Sequence, residues 1–395
     1  MVDNPYWKAY LFKTTTGQIG PEVSIEEGSG KYSISLNGTE TMSATIVKND
    51  ISTEKLREYV REWYGGILFT FKGEALCACV ITKQPKEYQY TINIEASGIR
   101  SVLNKRLLVP EMSDEDYARK LSTSTIYYDR RTLGTIAQDV VKYVTTVKPG
   151  GRLPIRYPIA PESMPTSKDN ERTYNGFSVA NLSCDYVLEK LSNVRNGPDI
   201  MFRPVKVEDQ LYFDMYHGTK ANYRIAQKAV PFWDLTVEGQ ANSLELISNG
   251  EVMTDRVFAI GGGMDTGTAI QVSTKQDRVQ EGYPFLETTI SSGQQENPSV
   301  LKSHAEAALQ QNRTPQREIT FSVHAWDTDT PWELGNFFVG DLVKIKSKGF
   351  INIPDGVNEF RLLNIHGFFG SGMVNMALQE DSQWDYLSRF EESSL

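Results

Sequence analysis

The residues with the clearest chemical potential are few, and their spacing decides what they can do. Gly261-Gly262-Gly263 follows a strand-like run, and a glycine turn after a strand cradles a phosphate when a helix N-terminus comes next. Here Thr266-Gly267-Thr268 leads into another strand-like stretch and no Gly-Lys-Ser/Thr occurs. The spacing therefore predicts a β-turn or bulge, where glycine supplies positive φ without strain. Asp327, Asp329, Glu333 and Asp341 lie beside Trp326 and Trp332, a set that could pair carboxylates for acid–base work or stack indoles on a sugar. The run Asp327-Thr328-Asp329-Thr330-Pro331 equally fits solvated Asx turns, which need those residue types for local hydrogen bonding.

His217, His304, His324 and His366 have no i, i+4 partner and no cysteine pair nearby, which argues against a metal site. Cys77 and Cys79 are two apart in an apolar strand, so both face one side of a sheet as buried thiols; Cys184, on a predicted helix, reads the same way. No Gly-x-Ser-x-Gly, His-Glu-x-x-His or Walker pattern is present. The expectation is a protein without catalytic, cofactor-binding or metal-ligating residues, with no cofactor, and not an enzyme.

The elements that would position these groups are mostly strands. With 395 residues the chain exceeds the roughly 250–300 at which single cores stop growing, so several domains are expected. Hydrophobic residues make up 39% and charged residues 23%, ordinary for a folded soluble chain. No signal peptide or membrane span is expected, and three cysteines are too few for a disulfide framework, pointing to assembly in a reducing cytosol. The net charge of −9 disfavours tight binding to phosphate backbones.

Residues 1–110 read as a β domain: strands over Trp7–Phe12 and Lys31–Leu36, a hairpin turning at Lys72-Gly73, and a third strand over Tyr88–Ala96, with one helix over Glu54–Trp63 capped by Ser52 or Thr53. Residues 111–230 read as mixed α/β. A helix carries the stripe Ile136, Val140, Tyr143 and Val144, a second spans Leu182–Val194, and a Pro/Gly-rich loop covers residues 148–175. A hairpin follows, turning at Glu208-Asp209. Residues 231–380 read as a second β domain with one helix, Pro298–Gln311, opened by Asn297 and proline. Residues 381–395 read as an amphipathic or frayed tail. The fold class is α+β, mainly β.

This layout resembles the tail-hub, or baseplate-hub, proteins of long-tailed bacteriophages, including tail-tip minor tail proteins and the N-terminal module of tail-associated lysins. The resemblance rests on an opening strand ending in Thr16-Gly17, the run Ile92–Leu107, the stretch Thr254–Gly263, Pro284-Phe285-Leu286-Glu287, the Ala-rich helix around His304–Gln311, and Gly340-Asp341-Leu342-Val343. It implies two tube-forming, barrel-like β domains with the α/β domain between them, and places the Arg256-Val257 strand, Leu286-Glu287, the Ala-rich helix and the Gly340–Val343 strand in the second.

The function so implied is geometric. Three chains with two similar β domains each make a pseudo-sixfold ring joining the sixfold tail tube to a threefold tip. The implied partners are a homotrimer, a distal tail or tail tube protein, a tape-measure protein, and tail-tip spike or fibre proteins. Double-stranded DNA would pass through the lumen without specific binding, and no membrane binding is expected. The implied location is the virion tail tip, after synthesis and assembly in the host cytoplasm. With the sequence ending at Leu395, no added hydrolase or fibre module is expected, and such tasks would fall to separate partners. The alternatives are a carbohydrate-recognising receptor-binding or baseplate adaptor protein using Trp326 and Trp332, and a peptidoglycan hydrolase using Asp327 and Glu333.

Overall fold

The computed structural model describes residues 6–48, 51–164, 170–194, 197–219, 230–236, 241–291, 297–325 and 333–380; the tail expected over 381–395 lies outside them. Strand accounts for 44% and helix for 21%, the mainly-β α+β class expected from the residue pattern.

The N-terminal strands are β1 (Trp7–Lys13), β2 (Ile19–Ile25), β3 (Lys31–Ser35), β4 (Thr41–Val47), β5 (Gly65–Phe71), β6 (Glu74–Glu87) and β7 (Thr91–Ser97), with helix α1 (Thr53–Tyr59) before β5. The ring β1-β2-β4-β7-β6-β5 closes into a six-stranded antiparallel barrel, which leaves those strands without a free edge over most of their length. β5 is buried throughout because its alternate residues serve two cores: Ile67 and Phe69 fill the barrel while Leu68 faces the neighbouring α/β layer. Cys77 and Cys79 point into the barrel with their Sγ atoms 3.9 Å apart, the shared face their spacing requires.

The β5–β6 hairpin turns at Lys72 and Gly73, both at positive φ (50° and 86°), the pair of conformations that matches strand twist. Ser52 caps α1 by accepting the Lys55 N–H at 3.3 Å. The helix stops at Tyr59 rather than reaching Trp63, because the chain must reverse into β5: Trp63 sits at φ 63°, and a Cβ on Gly65 would fall 1.5 Å from the Tyr59 carbonyl oxygen.

The middle of the chain supplies α2 (Arg100–Asn104), α3 (Asp114–Lys120), β8 (Thr125–Tyr128), α4 (Leu133–Thr146), β9 (Ile155–Arg156), β10 (Arg172–Asn175), α5 (Cys184–Ser192), β11 (Asp199–Val207) and β12 (Gln210–Gly218). α4 and α5 bury Ile136, Val140, Val144, Cys184 and Leu188 against the β11–β12 hairpin and the outer face of the barrel. That hairpin turns at Glu208, φ 53°, as the polar pair there predicts.

The remaining elements are β13 (Phe232–Asp234), β14 (Ala241–Asn249), β15 (Arg256–Ile260), β16 (Ile270–Thr274), α6 (Asp277–Gln280), β17 (Glu287–Ser291), α7 (Pro298–Gln311), β18 (Gln316–His324), β19 (Leu342–Ser347), β20 (Gly356–Phe368) and β21 (Met373–Glu380). A second six-stranded sheet runs β14-β18-β21-β20-β19-β13 around Trp233, Phe321, Phe337, Ile345 and Leu362. The Ala-rich helix α7 does not join it. Leu301, Ala305 and Ala308 pack on Val257 and Ala259 of a separate three-stranded sheet, β16-β15-β17. Arg256-Val257 and Glu287 also lie in this unit rather than in the second six-stranded sheet, and of the segments that the resemblance placed there only Gly340–Val343 leads into its strands. The unit is an insertion in the turn of the β14–β18 hairpin, its ends drawn together by the Thr254 N–H donating to the Asn312 carbonyl at 2.9 Å.

The barrel and the second sheet are joined by β3 and β20, which pair antiparallel from Lys31–Phe368 to Ser35–Asn364. Just past β20, Phe369 enters the first barrel: its ring lies 4.8 Å from that of Phe69 and 5.4 Å from that of Trp7, and its N–H donates to the Gly30 carbonyl at 2.8 Å. Phe369→Ala is expected to lower stability by about 2 kcal/mol through the lost ring contacts, read as a lower urea midpoint with an unchanged m-value.

Candidate assembly surface

The sequence-derived candidates for chemistry do not converge. Gly261–Gly263 form the turn between β15 and β16: Gly261 N–H donates to the Ala269 carbonyl at 2.8 Å and Ala269 N–H returns to Gly262 at 2.9 Å. Gly263 sits at φ 123°, and a side chain there would lie 2.3 Å from the Gly267 carbonyl oxygen. A three-residue 3-10 turn follows, not a helix, so the glycines make a hairpin. Trp326, Asp327, Asp329 and Trp332 lie outside the described residues. Glu333 pairs with Lys72 across the barrel and the second sheet, and Asp341, buried, accepts the Phe338 N–H at 2.8 Å. Both are tied to structural duties.

The histidines are dispersed. His217 is buried against Gly134 at the start of α4, His304 is on α7, His324 ends β18 and His366 is in β20. Burial, with Arg172 and Lys190 nearby, pushes the His304 imidazole below its ordinary pKa, and burial alone does so for His366. Among the described residues no three His, Cys, Asp or Glu side chains gather closely enough to hold a metal ion.

The most perturbed carboxyl is one that the sequence did not single out. Glu40, at the start of β4, is buried against Gly98 at the end of β7; a Cβ on Gly98 would lie 1.9 Å from Glu40 Oε2. Burial raises its pKa from 4.5 to about 7, against the opposing pull of Arg100, which is itself paired with Asp185 of α5 at 2.5 Å. Because the folded pKa lies above the unfolded one, the protonated acid is the form the fold prefers, so stability is greatest below about pH 4.5 for this group and falls as pH rises toward 7. Glu40→Gln should remove that slope and stabilise the protein at pH 8 by up to about 3 kcal/mol; parallel thermal melts of both proteins between pH 5 and 8 measure it.

What the structure does concentrate in one place is a joint. Asn37, at φ 57° in the β3–β4 turn, donates to Asp199 Oδ1 at 2.7 Å and accepts the Ile200 N–H at 2.7 Å. Arg361 of β20 pairs with the same Asp199 of β11, and both side chains are at most 5% exposed. The barrel, the α/β layer and the second sheet meet on one carboxylate. Sequence reasoning missed it because the three residues carry no motif and lie 162 positions apart at each step from Asp199.

The outer surface presents free strand edges and exposed aromatics. Among the described residues β14 pairs only with β18, and β13 only with β19. At the tip of the β6–β7 hairpin Tyr88 and Tyr90 are 56% and 60% exposed.

No family model and no curated protein sequence matches the chain. Solved structures do. The 43 kDa tail protein of prophage MuSo2 from Shewanella oneidensis superposes with a TM-score of 0.56 at 11% identity, over 95% of this chain and 99% of that one. The tail protein from Neisseria meningitidis MC58 gives 0.53 at 12% identity, over 96% and 98%. The prophage tail protein gp18 from Listeria monocytogenes EGD-e gives 0.52 at 10% identity, over 95% of both. The chain has the fold of phage tail proteins from end to end.

Proposed function

We propose that this chain is the structural hub of a phage tail tip. Three copies form a ring of six β units that joins the sixfold tail tube to threefold tip components and leaves a channel for DNA and the tape-measure protein. The observation that carries this reading is the hydrogen-bonded pairing of two β units of like strand order through β3 and β20, which would make one chain a one-third arc of a six-unit ring. The end-to-end likeness to phage tail proteins supports it. So does the acidic balance, −9 overall, since a wall that does not bind phosphates lets them pass. In this role the polypeptide is not an enzyme. It acts in the virion tail tip among distal tail, tube, tape-measure and spike or fibre proteins, after synthesis in the host cytoplasm.

Light scattering with negative-stain electron microscopy tests the reading. A particle of three 44.5 kDa chains with a central hole is expected; a compact monomer at high concentration would overturn it.

A further inference from the structure

The barrel and the second sheet repeat one pattern of strand pairing. β20 pairs with β19 along its first half and β21 along its second, changing partner at Phe360 and Arg361. β6 does the same with β5 and β7, changing at Val80. The register then slips between Leu362 and Asn364 in β20, and between Ile81 and Lys83 in β6. At each slip the strand's carbonyl accepts an N–H from a residue of positive φ just before the preceding strand: Gly340 (φ 90°) to Leu362 at 2.7 Å, and Trp63 (φ 63°) to Ile81 at 2.8 Å. β6 slips once more between Lys83 and Lys86, leaving Pro85 in a bulge, so Lys83, Lys86 and Glu87 stand in the barrel where Asn364, His366 and Gly367 stand in the second sheet.

The registers carry the correspondence to the other side. Val80 faces Ser97, Ser97 faces Thr41 and Thr41 faces Ser33; Arg361 faces Gln379, Gln379 faces Glu318 and Glu318 faces Ile247. Residues 245–249 of β14 therefore match Lys31–Ser35 of β3. Within the chain Lys31–Ser35 pairs with Asn364–Phe368. The matching segments, 245–249 and 83–87, each have one strand neighbour among the described residues and do not pair with each other.

We propose that residues 245–249 of one copy add antiparallel to the free edge of β6 over Lys83–Glu87 of the next, repeating between chains the step that joins the two β units within one. The inference rests on the ring reading above and names the strands that close the ring. Asn249 would face Lys83, Ile247 would face Lys86 and Leu246 would face Glu87, with Pro85 in the bulge between. The contact is heterologous, so it closes by rotation rather than by a twofold. Ile247, 48% exposed, would lie along the apolar stem of Lys86. Lys48 sits 2.5 Å from Glu87 and offsets its charge at this edge. Tyr88, exposed just past Glu87, would lie beside the arriving strand near Glu245.

Single variants Lys86→Cys and Ile247→Cys test the pairing, since opposite residues of neighbouring strands lie within disulfide reach and the native cysteines are buried. Mild oxidation of the mixed variants should give a disulfide-linked dimer and neither variant alone should; the double variant should give a series ending in a closed species. Product from either variant alone would mean a twofold contact and overturn the proposal. Rings under the microscope without product from the mixture overturn this pairing and leave the ring standing, whereas neither rings nor product overturns both. Tyr88→Ala should raise the concentration for half-assembly by about tenfold, the effect of removing a packed aromatic anchor; unchanged assembly would remove Tyr88 from the interface.

Discussion

Arg361→Ala is expected to lower the unfolding free energy by about 3–5 kcal/mol, the typical result of stranding one partner of a buried ion pair. Asp199 would keep the Asn37 amide at 2.7 Å but lose the guanidinium that offsets its burial, and the protein interior offers no water in exchange. The loss falls on a point where the barrel, the α/β layer and the second sheet meet, so all three should melt together at a lower denaturant midpoint. Arg361→Met should be milder only if Asp199 is replaced as well, because an apolar pair of similar volume removes the desolvation along with the attraction. A double-mutant cycle with Asp199→Leu measures the coupling, and additivity of the two single losses would contradict the assigned role.

Asp255→Ala should have an effect of similar size confined to the inserted unit. Asp255 is fully buried and accepts from Arg278 at 2.8 Å, Arg313 at 2.9 Å and the Leu286 N–H at 3.0 Å. Burial alone would raise its pKa, but the Leu286 N–H and the two guanidiniums outweigh it and hold the carboxyl below its ordinary value. The fold therefore gains from the ionised form. That gain is present above about pH 4, the unfolded value, and is lost as pH falls through the depressed one. Removing the carboxylate leaves the buried Arg278 without its anion and Arg313 with Asp277 alone, a loss of about 3–5 kcal/mol. Amide hydrogen exchange should show α7 and β15–β17 losing protection while β5 and β20 keep theirs. Global unfolding instead would mean that the insertion, the barrel and the second sheet are one cooperative unit.

The helices were the most legible part of the chain because capping is local. Asn297 and Pro298 mark the start of α7, and the helix ends at Gln311 as read; Ser52 marks α1. Hairpins whose turn residues tolerate positive φ, Lys72-Gly73 and Glu208-Asp209, were legible for the same reason. Strands with one buried residue were not: β2, with Gly20 and Pro21 and only Val23 fully inside, resembles a turn. Nor was the partner of α7, since an Ala-rich face fits any shallow sheet. The joint at Asp199 and the acid at Glu40 depend on residues brought together only by the closed fold. The correspondence of the barrel with the second sheet is likewise written in register and not in residue type: Trp63 matches Gly340, and Lys86 matches His366. What was legible about function came from the order of the domains, and the solved tail proteins superpose on this chain at 10–12% identity.

The pairing of β3 with β20 also sets an order of events during synthesis. Every strand of the first barrel is complete by Ser97, so that barrel can close while most of the chain is still unmade, as domains that emerge first tend to fold first. Its β3 edge, however, waits for residues 364–368, and for that interval it is an open template for another nascent chain. At about 5–20 residues per second the wait lasts tens of seconds. Slow translation or a truncated product lengthens that exposure, so fragments that stop before β20 are expected to be the aggregation-prone form of this protein.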